Sequence, residues 1–180
     1  MNLEALKHII RSAQTLAEDK TIIVLGSASL LAHYPELGDP GKLLSTTYDA
    51  DILADPFDEL TSIMLNEALG EDRAYYRIHG YHADILRDSI ADTLPSGWRD
   101  RLTPIPGAEF AYAIDPYDLA AVKLLVGRDK DIKLVDLLRD ASLINRDKLL
   151  ERIESLAIPL ESIPRVLSTF HLVFKPLVSS

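Results

Sequence analysis

The sequence predicts an α/β fold of the mixed α+β kind, followed by a helical C-terminal part. Three observations carry that expectation. Helical spacing alternates with short β-branched runs through the first two-thirds of the chain. The run Thr21-Ile22-Ile23-Val24-Leu25 is apolar almost throughout, as expected of a strand covered on both faces. From Asp115 onward only helical patterns follow. The expected division is therefore residues 1–115 as an α/β core and 116–180 as a helical part packed on it.

Each element has its own warrant. Leu3, Leu6, Ile9, Ile10, Ala13, Leu16 and Ala17 recur at three- and four-residue spacing, which predicts an amphipathic helix over 3–17. The strand at 21–25 ends at Gly26, and Ser27 to Tyr34 reads as a short helix directly after it. Residues 35–47, PELGDPGKLLSTT, are rich in chain breakers and predict a loop. Tyr48 to Leu53 predicts a second strand. Asp55-Pro56 with Asp58 then has the grammar of a helix start, and Gly70 ends that helix. Residues 75–86, YYRIHGYHADIL, have strand character interrupted at Gly80, so a hairpin or bulge is expected. The proline-containing stretch 89–107 reads mostly as loop, with one last short strand at 112–114. Asp115-Pro116 with Asp118 repeats the helix-start grammar. Helices are expected over 116–127, 129–142, 146–157 and 161–174, the last perturbed at Pro164.

Composition excludes several classes. With 180 residues, 47% of them apolar, the chain can bury a full core and intrinsic disorder is disfavoured. Nineteen Lys+Arg against 28 Asp+Glu leave a net charge of −9, which disfavours binding to an extended nucleic-acid duplex through its phosphates. There is no cysteine, so disulfides, thiolate nucleophiles and cysteine-held zinc are excluded and a reducing, cytoplasmic setting is expected. No apolar run approaches the roughly 20 residues that span a bilayer, and the charged first twenty residues lack a signal-peptide pattern.

The chemistry concentrates in Gly26-Ser27, Asp49-x-Asp51 and Asp84. Residues two apart on a strand share a face, so Asp49 and Asp51 project together. Parallel carboxylates repel unless something positive lies between them, and a divalent cation answers that need. Asp84 sits in a segment able to form a neighbouring strand and to add a third carboxylate. Gly26 permits close backbone approach, and Ser27 opens a helix where N–H groups suit a phosphate. The competing view of the acid pair is an exposed edge strand, which the apolar Ile52-Leu53 opposes. Zinc held by His79, His82 and Asp84 is disfavoured because His79 lies on the other face of a strand from His82 and Asp84. Lys123 could snorkel beside its apolar stripe, and Arg128 to Asp131 could be a solvated mixed-sign run.

These elements, as IIVLGS, YDADIL and HADIL, resemble the minimal pattern of the nucleotidyltransferase superfamily typified by DNA polymerase beta. A second stretch, DPYDLAAVKLLVGRDKD at 115–131, resembles the closing motif of small bacterial nucleotidyltransferase-like proteins, a branch that includes toxin–antitoxin and abortive-infection members. TLPSGWRDRL at 93–102 is similar to that branch as well. Twenty-one residues lie between Ser27 and Asp49, so residues 35–47 are expected to bulge out as an insertion placed to touch the acceptor.

The resemblance implies a mixed sheet flanked by helices and a Mg²⁺- or Mn²⁺-dependent transfer of a nucleoside monophosphate from an NTP to a hydroxyl. In it, Asp49 and Asp51 hold the metal, and Asp84 helps hold a second one or acts as base. Gly26 and Ser27 meet the outer phosphates, together with Lys123, Arg128 and Lys130. The acceptor is expected to be a protein side chain or small molecule, less readily a tRNA end. The alternative keeps the fold and loses the reaction, giving a binding module of a toxin–antitoxin or defence pair with an antitoxin-like partner.

Overall fold

The structure, a computed structural model, describes residues 1–174. They divide into two compact units, one made of Met1–Ile90 and Arg99–Asp115, the other of Ala91–Trp98 and the residues from Pro116 onward.

The first unit is a five-stranded mixed sheet with helices. Helix α1 (Leu3–Leu16) is capped by the Asn2 side chain, which accepts from the Ala5 N–H, and it buries Leu6, Ile9, Ile10 and Ala13. Strand β1 (Thr21–Val24) leads through a 3₁₀ turn at Ser27–Ser29 into the single-turn helix α2 (Leu30–His33). Strand β2 (Asp49–Asp55), helices α3 (Glu59–Leu69) and α4 (Ala74–His79), and strand β3 (His82–Ile85) follow. Strands β4 (Thr103–Pro104) and β5 (Ala111–Ala113) complete the sheet. Its order is β3-β2-β1-β5-β4. Strand β1 runs antiparallel to β2 and parallel to β5, while β2 and β3 are parallel. The apolar β1 is thus the central strand, and Ile22, Ile23 and Val24 are all buried.

The insertion expected at 35–47 is folded rather than loose. Pro35–Gly38 forms a 3₁₀ turn, Leu44 is buried, and the Leu44 N–H donates to the Leu37 carbonyl at 2.8 Å. The Met1 ammonium donates to the carbonyls of Leu44 and Thr47 at 2.5 and 2.6 Å, which ties the insertion to the start of α1.

Three local expectations are corrected. Residues 75–79 are helix, not strand: Gly80, at φ 76° and ψ 12°, is the left-handed residue that closes α4. The aromatic β-formers Tyr75 and Tyr76 are overruled by packing, because Tyr75 stacks on His8 of α1 and Tyr76 meets His82 edge-on. Helix α3 begins at Asp58 rather than Asp55. The Asp58 side chain takes the Thr61 N–H at 2.8 Å, whereas Asp55 still belongs to β2 and receives both Nη groups of Arg99. Thr103–Pro104, expected to be loop, pairs with β5.

The second unit is helical, as expected. Helices α5 (Pro116–Val126), α6 (Asp129–Asp140), α7 (Arg146–Glu154) and α8 (Ile163–Val173) bury Leu119, Leu124, Leu138, Leu149, Ile153, Val166 and Phe170. Pro164 does not perturb α8. It lies in the first turn, where no intrahelical N–H is needed. The strap Ala91–Trp98 closes on this unit, the Ser96 N–H donating to the Ser155 carbonyl at 2.7 Å. Asp118, fully buried, lies 2.9 Å from Arg152 Nε.

Candidate metal centre

Strand register assembles the acids. In the parallel β2–β3 pair, Asp49 stands opposite His82 and Asp51 opposite Asp84. Alternation then sends Asp49, Asp51, His82 and Asp84 to one face, while Ala50, Ile52 and Ala83 turn into the core. One oxygen from each of Asp49, Asp51 and Asp84 lies within 4.8 Å of the others. The first two acids are half-buried and the third is exposed. Strand β2 is internal to the sheet, so the pair does not decorate a free edge.

Gly26 is the steric condition for this geometry. The Leu25 N–H donates to the Asp51 carbonyl at 3.0 Å, which brings the end of β1 alongside Asp51. A Cβ on Gly26 would stand 1.6 Å from Asp51 Oδ2 and 2.5 Å from its Cγ. The Asp51 carboxylate therefore occupies the space a side chain would need, and only glycine leaves it there.

The donors are all carboxylate oxygens, which suits a hard divalent cation such as Mg²⁺ or Mn²⁺. Three like charges this close favour a cation that neutralises them. His82 supports the group from the side. Its Nε2 lies 3.3 Å from Asp84 Oδ1, its ring meets Tyr76 edge-on at 4.9 Å, and its buried Nδ1 has no hydrogen-bond partner. His79 does not join it. That ring packs among His8, Tyr75 and Tyr81, so among the described residues the histidines form no zinc set with Asp84.

A family profile described as "Nucleotidyltransferase of unknown function (DUF6036)" matches residues 2–163. The chain belongs to this nucleotidyltransferase family. No curated protein and no solved structure matches it significantly. The match spans the glycine, the acid triad and the later cationic stretch that the sequence singled out.

Within this nucleotidyltransferase-family chain, the cations expected at a triphosphate have a local partner. Lys123 Nζ lies 3.3 Å from Asp131 Oδ1, and Arg128 donates from Nε to Asp131 Oδ2 at 2.6 Å and from Nη2 to Oδ1 at 3.2 Å. Burial raises the Asp131 pKa, but the Arg128 hydrogen bond and the Lys123 charge outweigh it and hold the carboxyl below its usual range. Lys130 is exposed on the first turn of α6. Ser27 is half-buried in the 3₁₀ turn after β1.

His82 and the Gly26–Asp51 contact were not assigned roles from sequence. The register puts His82 and Asp84 on one face, as strand alternation predicts. That His82 also lies across from Asp49 depends on a parallel pairing with residues more than thirty positions away, which local pattern does not encode. No helix of the described residues is long and apolar enough to cross a membrane.

Proposed function

We propose that the protein transfers a nucleoside monophosphate from an NTP to a hydroxyl acceptor, breaking the α–β phosphoanhydride bond and releasing pyrophosphate, with Asp49, Asp51 and Asp84 holding Mg²⁺ or Mn²⁺. The observation that carries this reading is the convergence of the three carboxylate oxygens within 4.8 Å inside a nucleotidyltransferase-family chain. When bound, a divalent cation supplies charge neutralisation for the triphosphate and lowers the pKa of a coordinated hydroxyl.

The chain's own residues do the positioning. Asp49 and Asp51 are fixed by the sheet, and Gly26 leaves room for the Asp51 carboxylate. Asp84, the most exposed of the three, would help hold the metal or act as base toward the acceptor hydroxyl, with His82 Nε2 3.3 Å from its carboxylate. By family resemblance, Gly26, Ser27, Lys123, Arg128 and Lys130 are assigned to the outer phosphates. For Lys123 and Arg128 that role competes with Asp131, so they would have to loosen from it or share it. The acceptor is proposed to be a protein side chain or small molecule, in keeping with the net charge of −9. The cysteine-free sequence favours a reducing, cytoplasmic setting.

A binding module that keeps the fold without the reaction, as in a toxin–antitoxin or defence pair, would not need a third convergent acid. The placement of Asp84 supports the catalytic reading over that one. The test is incubation with α-labelled NTPs, Mn²⁺ or Mg²⁺ and cell lysate. Label should appear on an acceptor with the wild type and fall by about 10²-fold or more in Asp49→Asn/Asp51→Asn. Label transfer that persists in the double variant would refute the assignment.

A further inference from the structure

Helix α3 has two apolar sides, and its own unit uses only one of them. At about 100° per residue, Leu65 and Leu69 fall on one side of the helix, and both are buried. Leu60, Ile63, Met64 and Glu67 fall on the opposite side, at the i, i+3, i+4, i+7 spacing of a packing stripe. That side is open: Leu60 is 77% exposed, Ile63 53% and Met64 39%. A helix side that faces water ordinarily carries polar groups, so this stripe calls for a cover.

Charge narrows what the cover is. Each end of the stripe carries an acid and a base side by side. Glu59 lies 2.8 Å from Arg87 at the start, and Glu67 lies 2.8 Å from Arg73 at the end. These four charges cancel, on a chain whose net charge is −9. A strongly acidic or strongly basic partner gains nothing from such a surface. An anionic bilayer attracts clustered Lys and Arg, and here both arginines stand beside acids.

A second copy of the same helix matches the stripe. Turned end for end about an axis beside Ile63 and Met64, it sets Ile63 of one copy against Met64 of the other. Glu59 and Arg87 of one copy then approach Glu67 and Arg73 of the other, so each acid meets a base across the contact. The antiparallel sense also opposes the two helix dipoles.

We propose that the protein self-associates through this face, two α3 helices packing antiparallel about a two-fold axis beside Ile63 and Met64. The inference stands apart from the nucleotidyl-transfer reading. Helix α3 has 11 residues and is about 16 Å long. A strip of that length and about 10 Å wide is well below the roughly 800 Å² per partner of tight complexes. The dimer should therefore be reversible, with a dissociation constant on the order of 10–100 μM.

The test is sedimentation velocity of the full chain from about 1 to about 500 μM. Wild type should pass from monomer to dimer across that range. Ile63→Glu should weaken the dimer by about tenfold or more. Leu160→Glu, at an 85% exposed position of the helical unit, should leave it unchanged. The chain has no cysteine, so a single introduced thiol can form a protein disulfide only with another copy. Mild oxidation should couple Ile63→Cys into a disulfide dimer. Leu60→Cys should not couple, because antiparallel packing sets its two copies about 10 Å apart along the helices. A wild type that stays monomeric throughout would overturn the proposal and leave a different protein as the occupant of this face. A dimer indifferent to Ile63→Glu, or weakened equally by Leu160→Glu, would overturn it as well. Coupling of Leu60→Cys as ready as that of Ile63→Cys would overturn the antiparallel arrangement. Unchanged circular dichroism of the variants separates lost association from misfolding.

Discussion

Gly26 shows how a single residue can decide whether three acids become a site. Its importance is not backbone conformation, since it is extended at φ −95°, but volume: Asp51 Oδ2 stands where a Cβ would be. Gly26→Ala is expected to push Asp51 from the triad and lower Mn²⁺ affinity by about tenfold or more, equivalent to about 1.4 kcal/mol. Melting without metal should fall only modestly. Titration of the variant with Mn²⁺ checks this, and an affinity equal to wild type would show that Asp51 can find its place another way. The glycine and the acid pair were legible as residue types in sequence. Their contact was not, because it arises from the antiparallel register of β1 on β2, which pairs Val24 with Ile52. Asp84 was legible as a third acid, but its face depends on where β3 begins.

At the scale of elements, periodicity read well wherever a helix or strand had one clean apolar face. The buried residues of α1 are all among those its spacing picked out, although Leu16, also on that pattern, is exposed, and Gly70 ends α3 as expected. It failed at α4, a six-residue helix that buries none of its residues fully and is held by the rings around His8 and by the Gly80 cap. It also misplaced the start of α3. Asp58 is the true cap, and the Thr61 N–H, followed by the Lys20 ammonium at 2.9 Å, brings its pKa from 3.8 down to about 2. A carboxyl whose folded pKa is depressed stabilises the native state above its unfolded pKa and loses that effect as pH falls through the folded value. The contribution of Asp58 should therefore be complete above about pH 4 and vanish between about pH 4 and about pH 2. Urea unfolding of wild type and Asp58→Asn, compared at about pH 5 and about pH 2.5, should show a gap that narrows on acidification. A gap independent of pH would mean that the hydrogen bond, and not the charge, is what matters there.

For the molecule as a whole, the acid triad is a concentrated repulsion built into a sheet that is otherwise conventionally packed. A bound cation stabilises only the folded form, in which the three carboxylates are together. At a Mn²⁺ concentration about 100-fold above Kd, the melting temperature should rise by about 5–10 °C. In Asp49→Asn/Asp51→Asn that rise should disappear, while the metal-free protein melts no lower than wild type because the repulsion is relieved. Scanning calorimetry with and without Mn²⁺ measures both. A double variant that still gains from Mn²⁺ would place the metal elsewhere. The fold class was legible at this scale because the central strand is apolar on both faces and the helical tail has no strand pattern. The second unit's use of Ala91–Trp98 was not, since that strap is far in sequence from the Ser155 carbonyl it meets.

The parallel pairing of β2 with β3 carries a further consequence for how the chain tolerates change in length. Residues 56–81 leave one strand and return to its neighbour, and the two ends meet with Asp51 facing Asp84. Insertions or deletions inside that crossover can be absorbed by its turns as long as the two strands keep their phase. A single residue gained or lost within β3 between His82 and Asp84 would invert the carboxylate toward the core side. Length variation should therefore be permitted in the excursion and forbidden in those three positions, which makes the spacing from His82 to Asp84 a stricter signature than the spacing from Asp51 to His82.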